Sequence, residues 1–246
     1  MIIRQLGRVD YQAAWDQMRA FTDARTPETE DELWVCEHAP VFTQGVAGKP
    51  EHLLFNPSNI PVIKTDRGGQ ITYHGPGQAM VYVLFNLKRA GYGVREMVMR
   101  IENAVIVLLA SHGVEAYGKR DAPGVYVGLP STLSRSVLSP SPASACDDWR
   151  KGAPGVRGEG GGDERVTLRP EAKIAALGLK VRNGHTYHGL AFNVNMDLTP
   201  FSAINPCGYE GLRVTHLHEL GVRLSLDAAG IALAEELTRQ LSAPAR

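Results

Sequence analysis

Excess charge of one sign is absent from this chain: 26 lysines and arginines balance 26 aspartates and glutamates, for a formal net charge of zero. No bulk field draws it to nucleic acid or to an anionic membrane surface, so neither partner is expected. Long apolar runs are lacking too. None approaches the ~20 residues a membrane helix needs, and the start, MIIRQLGRVDYQAAWDQ, has no apolar core of a secretory signal. A cytoplasmic protein is expected. Cysteine is sparse: Cys36, Cys146 and Cys207, an odd set without CxxC spacing. That argues against a disulfide framework and a structural zinc site, and for free thiols in a reducing compartment. The phosphate-cradling patterns GxxxxGK[ST] and GxGxxG are also missing. What remains is ordinary globular composition, 43% hydrophobic and 21% charged over 246 residues. This is enough for a core in one large domain or two small ones.

The patterning is mixed. Asp10 is an apt N-cap for a helix whose face carries Tyr11, Ala14, Trp15, Met18 and Phe21. Leu33–Glu37 reads as a strand and Pro40–Gly48 as a loop. Strands are expected at Pro61–Thr65 and Ile71–His74, broken by the glycines of 67–70 and 75–77. The apolar run Ala79–Leu87 suits a strand buried on both faces. Val94–His112 has helical period, with Met97, Ile101, Val105 and Leu108 on one side and Gly113 as its stop. Gly124–Val127 and Lys173–Val181 are further strands. Asn183-Gly184 is a hairpin signal, because both residues tolerate positive φ, and Gly189–Met196 is the return strand. A last helix runs from about Asp227 to Leu241, with Ile231, Ala234, Leu237 and Leu241 inward. This order predicts an α+β fold rather than regular βαβ alternation. The Ser-, Pro- and Gly-rich stretch 129–169 lacks periodicity and predicts a flexible insertion.

Three stretches concentrate residues able to do chemistry. In Arg67-Gly-Gly-Gln-Ile-Thr-Tyr-His-Gly-Pro-Gly-Gln78 the glycines let backbone approach a ligand, or simply make two turns beside a sheet. Lys173-Ile-Ala-Ala-Leu-Gly178 precedes His185-Thr-Tyr-His188, and Lys173 is a solvated strand end unless something partners it. On a strand, His185 and His188 point to opposite faces, a poor pair for a metal. In Ile204-Asn-Pro-Cys-Gly208 the proline and glycine set a turn that leaves the Cys207 sulfur accessible, unlike Cys36 in its apolar strand. A thiol has a pKa of ~8.5, and a neighbouring ammonium lowers it; Lys173 is a candidate, although nothing in the chain order brings it to Cys207. His216 and His218 follow the cysteine, as a Cys–His hydrolase would need, but the flanking residues do not resemble those enzymes.

Together, RGGQITYHGPGQ, KIAALGLKVRNGHTYHGLAFNVNMDL and FSAINPCGYEG resemble the lipoyl(octanoyl) transferase family, over a span from the first helix to about Leu220. The resemblance implies a biotin/lipoate protein ligase-like fold, a mixed β-sheet flanked by helices, as a single catalytic domain over 1–246. Its 129–169 segment is longer than the family's connection. The resemblance implies octanoyl-acyl carrier protein as donor. The acceptor would be a lysine on the lipoyl domains of 2-oxoacid dehydrogenase E2 subunits and of the glycine-cleavage H protein. Cys207 matches the family's acyl-thioester nucleophile and Lys173 its partner lysine. Arg67, Gly68, Gly69, Gln70, Ile71, Thr72, Tyr73 and His74 match a substrate-lining segment. So do Ala176, Leu177 and Gly178, and Gly189, Leu190 and Ala191. His74 would contact the acyl group or simply pack. Backbone N–H groups near Leu177–Gly178 or Gly75–Gly77 would serve the oxyanion. No cofactor and no metal are implied, and a monomer is expected. An ATP-using lipoate or biotin ligase on the same fold is the nearest alternative, and a non-catalytic binder of lipoyl domains another.

Overall fold

The computed structural model describes residues 1–129 and 171–245, and at Cys207 the backbone. The insertion expected over 129–169 lies, Leu129 apart, outside the described residues, as does Cys146.

A strand not anticipated, β1 (Ile2–Arg8), opens the chain. Asp10 then accepts the Ala13 N–H at 2.9 Å and starts α1 (Tyr11–Asp23). The chain continues through β2 (Glu32–Glu37), β3 (Val41–Gln44), β4 (Val62–Lys64), β5 (Ile71–His74) and β6 (Gln78–Leu84). Next come a short α2 (Leu87–Ala90), α3 (Val94–Ala110), β7 (Ala116–Gly118) and β8 (Gly124–Gly128). Then β9 (Glu171–Arg182), β10 (His185–Asn193) and α4 (Leu226–Ser242) complete the set.

Seven strands form one mixed sheet in the order β1-β2-β6-β10-β9-β8-β7. The β1–β2 pair is parallel, whereas β2–β6, β6–β10 and β10–β9 are antiparallel. The interior strand β6 is buried along its whole length, as its apolar run predicts. Its alternation divides two layers. Ala79, Val81 and Val83 join Leu33, Leu190 and Phe192 against Met97, Ile101 and Val105 of α3 and Leu233 and Leu237 of α4. Met80, Tyr82 and Leu84 face Ala14 and Met18 of α1 on the other side, with Trp34 and Cys36. The strands β2, β6 and β10 are therefore apolar on both faces, which is what a sheet covered by helices on both sides requires.

Pro40–Gly48 is not simply a loop. Val41–Gln44 is a fully buried strand, β3, in a second sheet ordered β4-β3-β5. It pairs with β5 antiparallel and with β4 in parallel. Its own residues alternate poorly, so the pairing partners rather than the local pattern define it. The β9–β10 hairpin turns at Asn183 (φ 54°) and Gly184 (φ 86°), as its sequence predicts. β10 begins earlier and ends earlier than expected, and Met196 packs instead under the small sheet. β6 stops at Leu84 because Asn86 caps α2, accepting the Arg89 N–H at 3.0 Å. In α4, Ser225 rather than Asp227 is the cap, and Leu233 is buried while Ile231 is only half-buried. The lysine strand β9 thus sits beside β10, and β5 and its flanking turns lie across from both.

Candidate active site

The Arg67–Gln70 turn is held from within. Arg67 is buried, and its guanidinium donates to the carbonyls of Gly68 (2.9 Å), Gln70 (2.8 Å) and Thr43 (2.6 Å) and to the Thr43 hydroxyl. The Gly68 N–H reaches the Leu179 carbonyl at 2.9 Å, tying the turn to β9. This arginine therefore shapes the wall rather than offering a spare fork to a ligand.

A cavity lies between this wall and the β9–β10 hairpin. Arg67, Gly69, Gln70, Ile71, Thr72 and His74 line one side. Ala176, Leu177 and Gly178 of β9, with Gly189, Leu190 and Ala191 of β10, line the other. Tyr11, Met80, Tyr82 and His188 complete it. Of the substrate-lining residues implied by the resemblance, only Gly68 and Tyr73 are not on its wall. Gly68 faces an open groove on the outer side of the turn, near Pro123 and Tyr209. Tyr73 packs in the small-sheet core on Phe42 and Phe201, at 5.6 and 5.5 Å between ring centroids.

The histidines around this cavity are neutral. Burial, with the Arg67 guanidinium nearby, pushes His74 down to about 3. Its Nδ1–H donates to Gln78 Oε1 at 2.8 Å and its Nε2 accepts from the Thr43 hydroxyl at 3.1 Å, the tautomer that satisfies both partners. Tyr11 stacks on the ring at 5.7 Å. His74 thus lines the cavity and packs, with both nitrogens engaged. His38, lowered by burial, donates to the Val9 carbonyl and accepts from Tyr82 Oη at 2.6 Å.

Sequence reasoning missed Asp66 and His188. Asp66 accepts from Trp15 Nε1 (3.1 Å), from His188 Nε2 (2.9 Å) and from the Tyr187 hydroxyl. Burial works against its charge, but the bonds from His188, Tyr187 and Trp15 outweigh burial and hold the carboxyl well below the usual range. For His188, burial lowers the pKa more than Asp66 raises it. The pair is a carboxylate with a neutral imidazole. An Asp just before a Gly-rich turn carries no local signal, and HxxH spacing was informative only against a metal.

Lys173 is not a solvated strand end. It is 3% exposed on β9, with its backbone bridged to 213–215: its N–H donates to Arg213 O at 2.8 Å, and Thr215 N–H to Lys173 O at 3.0 Å. Its Nζ donates to the Pro123 carbonyl at 2.8 Å and lies 5.2 Å from the centre of the Tyr126 ring. Gly124, at φ 139°, leaves the room this requires, since a Cβ there would meet Lys173 Cε. Glu102 of α3 anchors the same turn, accepting the Gly124 N–H at 2.8 Å.

A second cavity is lined by Lys173 with Thr72, Gln78, Ala176, Asn193 and Pro206. It shares Thr72 and Ala176 with the first. Pro206 opens the Pro206–Gly208 turn, closed by the Gly208 N–H on Asn205 O at 2.9 Å. Gly208 (φ 77°) sits on the Gln70 amide, where a Cβ would lie 2.7 Å from Nε2. The fold therefore gathers the lysine, the backbone turn bearing Cys207 and the apolar cavity, which come from three distant stretches of chain. Gly77, by contrast, spends its N–H on Glu37 at 2.7 Å and is no spare donor. His216 and His218 are absorbed locally, by the Glu219 N–H and the Leu224 carbonyl.

Known proteins resemble this chain in sequence and in fold. The family model described as the lipoyl protein ligase A/B catalytic domain matches residues 10–238. An octanoyltransferase of Chromobacterium violaceum is 52% identical, over 98% of this chain and 96% of its own. One from Albidiferax ferrireducens is 49% identical, over 98% of each. Among solved structures, a lipoate-protein ligase A bound with ATP matches at TM-score 0.66 and 18% identity, over 99% of this chain and 86% of its own. A biotin protein ligase from Aquifex aeolicus, in complex with biotin and ATP, matches at TM-score 0.54 and 12% identity, over 97% and 69%. At such identities the likeness is one of fold, and it is the biotin/lipoate ligase-like α+β fold expected. By the extent of these matches, the chain belongs to the lipoyl protein ligase A/B catalytic-domain family.

Proposed function

We propose that this chain is an octanoyltransferase that loads an octanoyl group onto Cys207 from octanoyl-acyl carrier protein. It then passes the group to a specific lysine of a lipoyl domain, on 2-oxoacid dehydrogenase E2 subunits or the glycine-cleavage H protein. The observation that supports this reading is the cavity lined by both Lys173 and Pro206, which shares the wall residues Thr72 and Ala176 with an apolar pocket.

In this mechanism the Lys173 ammonium favours the thiolate form of Cys207, the stronger nucleophile. The thiolate attacks the donor thioester. Exchange of one thioester for another is nearly isoenergetic, so no nucleotide is needed. The acceptor amine then attacks the Cys207 thioester, and amide formation draws the reaction forward. Its surplus proton goes to the departing Cys207 thiolate. His74 is neutral with both nitrogens engaged, and the Arg67 guanidinium is spent on backbone carbonyls and Thr43, so neither presents an unsatisfied polar group where a hydrocarbon tail must lie.

Intact-mass measurement after incubation with octanoyl-carrier protein tests this. An octanoyl adduct is expected in the native chain and in Cys36→Ser, and not in Cys207→Ser. An adduct that survives Cys207→Ser refutes the assignment, and turnover that requires ATP would return the ligase reading. In Lys173→Ala, the pH profile of Cys207 alkylation should move to higher pH. An unmoved profile would place the lysine's role elsewhere.

A further inference from the structure

Acyl transfer between sulfur and nitrogen passes through a tetrahedral carbon whose oxygen bears negative charge. That oxygen needs a donor in place before it forms. Several nearby donors are already committed. Gly77 N–H is on Glu37, Gly68 N–H on Leu179 O and Gly208 N–H on Asn205 O. In the Lys173 cavity, Gln78 Nε2 donates to Asn193 Oδ1 at 2.9 Å and Asn193 Nδ2 to Thr215 O at 2.9 Å. Thr72 differs. It is 8% exposed, yet its hydroxyl makes no hydrogen bond among the described residues. Its oxygen is not sealed from solvent, so the hydroxyl is open to the cavities it lines.

Its placement explains the exception. Along β5, Ile71 and Tyr73 pack in the small-sheet core, and Thr72 and His74, with the edge of Ile71, line the acyl cavity. Thr72 is also on the wall of the Lys173–Pro206 cavity, so it stands where the acyl pocket meets the turn bearing Cys207. Its cross-strand neighbour Thr43 spends its own hydroxyl on Arg67 and His74 and cannot satisfy it.

We propose that the Thr72 hydroxyl donates to the oxyanion in both half-reactions and is a catalytic residue. This rests on the reading of Cys207 as acyl carrier. In the first half, the bond from Cys207 Sγ to the acyl carbon forms as the carbonyl pair moves onto oxygen, where Thr72 donates. The pair returns, the bond from carbon to the carrier's sulfur breaks, and that thiolate takes a proton from water. In the second half, the acceptor amine's bond to carbon forms, the pair moves to oxygen and back, and the bond to Cys207 Sγ breaks. The amine's surplus proton then passes to the Cys207 thiolate. Thr72 lends a hydrogen bond throughout and keeps its proton.

The test is the single-turnover rate of octanoyl–Cys207 formation, followed by intact mass with octanoyl-carrier protein as donor. Folding is checked by circular dichroism. Thr72→Val keeps the shape and β-branching, Thr72→Ala is a second hydroxyl-free variant, and Thr72→Ser restores the hydroxyl. Removing the donor should slow both acylation and transfer to a lipoyl domain by about 10²- to 10³-fold at saturating donor, with Thr72→Ser within about tenfold of native. The half-saturating donor concentration should change little. A native rate in Thr72→Val or Thr72→Ala, or Thr72→Ser as slow as either, overturns the inference while the Cys207 adduct in the native chain still stands. No adduct in the native chain would sink the Cys207 reading first, and this one with it.

Discussion

Asp66→Ala removes a carboxylate that three side chains from two layers converge on: Trp15 of α1, and Tyr187 and His188 of β10. A hydrogen bond to a charged acceptor is worth about 1.5–3 kcal/mol when well buried. The Asp66 side chain is 31% exposed, so water replaces part of each bond. Discounting for that gives about 1 kcal/mol per bond, or about 3 kcal/mol for the variant. In a chain of this size that corresponds to a fall in Tm of about 6–12 °C. The loss should depend on pH. The carboxyl is depressed in the folded state below its unfolded value of ~3.9, so its contribution is fully present above that value and disappears as pH falls through the folded one. Urea titrations of native chain and variant at neutral pH and at successively lower pH should show the gap in midpoint narrowing on the acid side. A variant within about 0.5 kcal/mol of native at neutral pH, the range of an ordinary surface change, would refute the reasoning. So would a gap that does not narrow in acid. Because His188 is on the acyl-cavity wall, the donor's half-saturation should rise as well.

Gly124→Ala combines an unfavourable φ with a methyl placed against Lys173 Cε. It should cost about 1–3 kcal/mol of stability and, beyond that, slow octanoyl–Cys207 formation. A native acylation rate in a folded variant would mean that the lysine tolerates displacement. Arg67→Lys replaces a fork that binds three carbonyls and a hydroxyl with a point charge. It should destabilise by about 3 kcal/mol in a urea titration, since a buried cation loses its partners. An unshifted midpoint would contradict the clamp. Burial pushes the Cys36 thiol up to about 12. Alkylation of the native protein near neutral pH should therefore spare Cys36, with labelling appearing only in denaturant, as peptide mapping would show. Labelling of Cys36 in the folded chain would contradict its placement.

Much of the layer structure was legible because single elements carry their own pattern. The β6 run is apolar on both faces, α3 has a helical stripe, Asp10 caps α1, and Asn183-Gly184 bends the β9–β10 hairpin. β3 was not legible: four buried residues with no alternation read as loop until two partner strands supply their hydrogen bonds. The glycine-rich segments pointed to a pocket, and twelve of the fourteen residues the resemblance named are on its wall.

By itself, the order of residues determined the elements that carry their own pattern, among them α1, β6, α3 and the β9–β10 hairpin but not β1 or β3, since periodicity, caps and turns act over a few neighbours. It also set a formal net charge of zero and shows neither GxxxxGK[ST] nor GxGxxG. Only tertiary structure decided that Lys173, solvated by any local reading, is buried against Pro123 and shares a cavity with Pro206. It also decided that Asp66 holds α1 to β10 and that Thr72 keeps an unspent hydroxyl on the wall of two cavities. These are distances between parts of the chain tens to more than a hundred residues apart. They follow from how the sheet is ordered, and no local pattern of side chains encodes that.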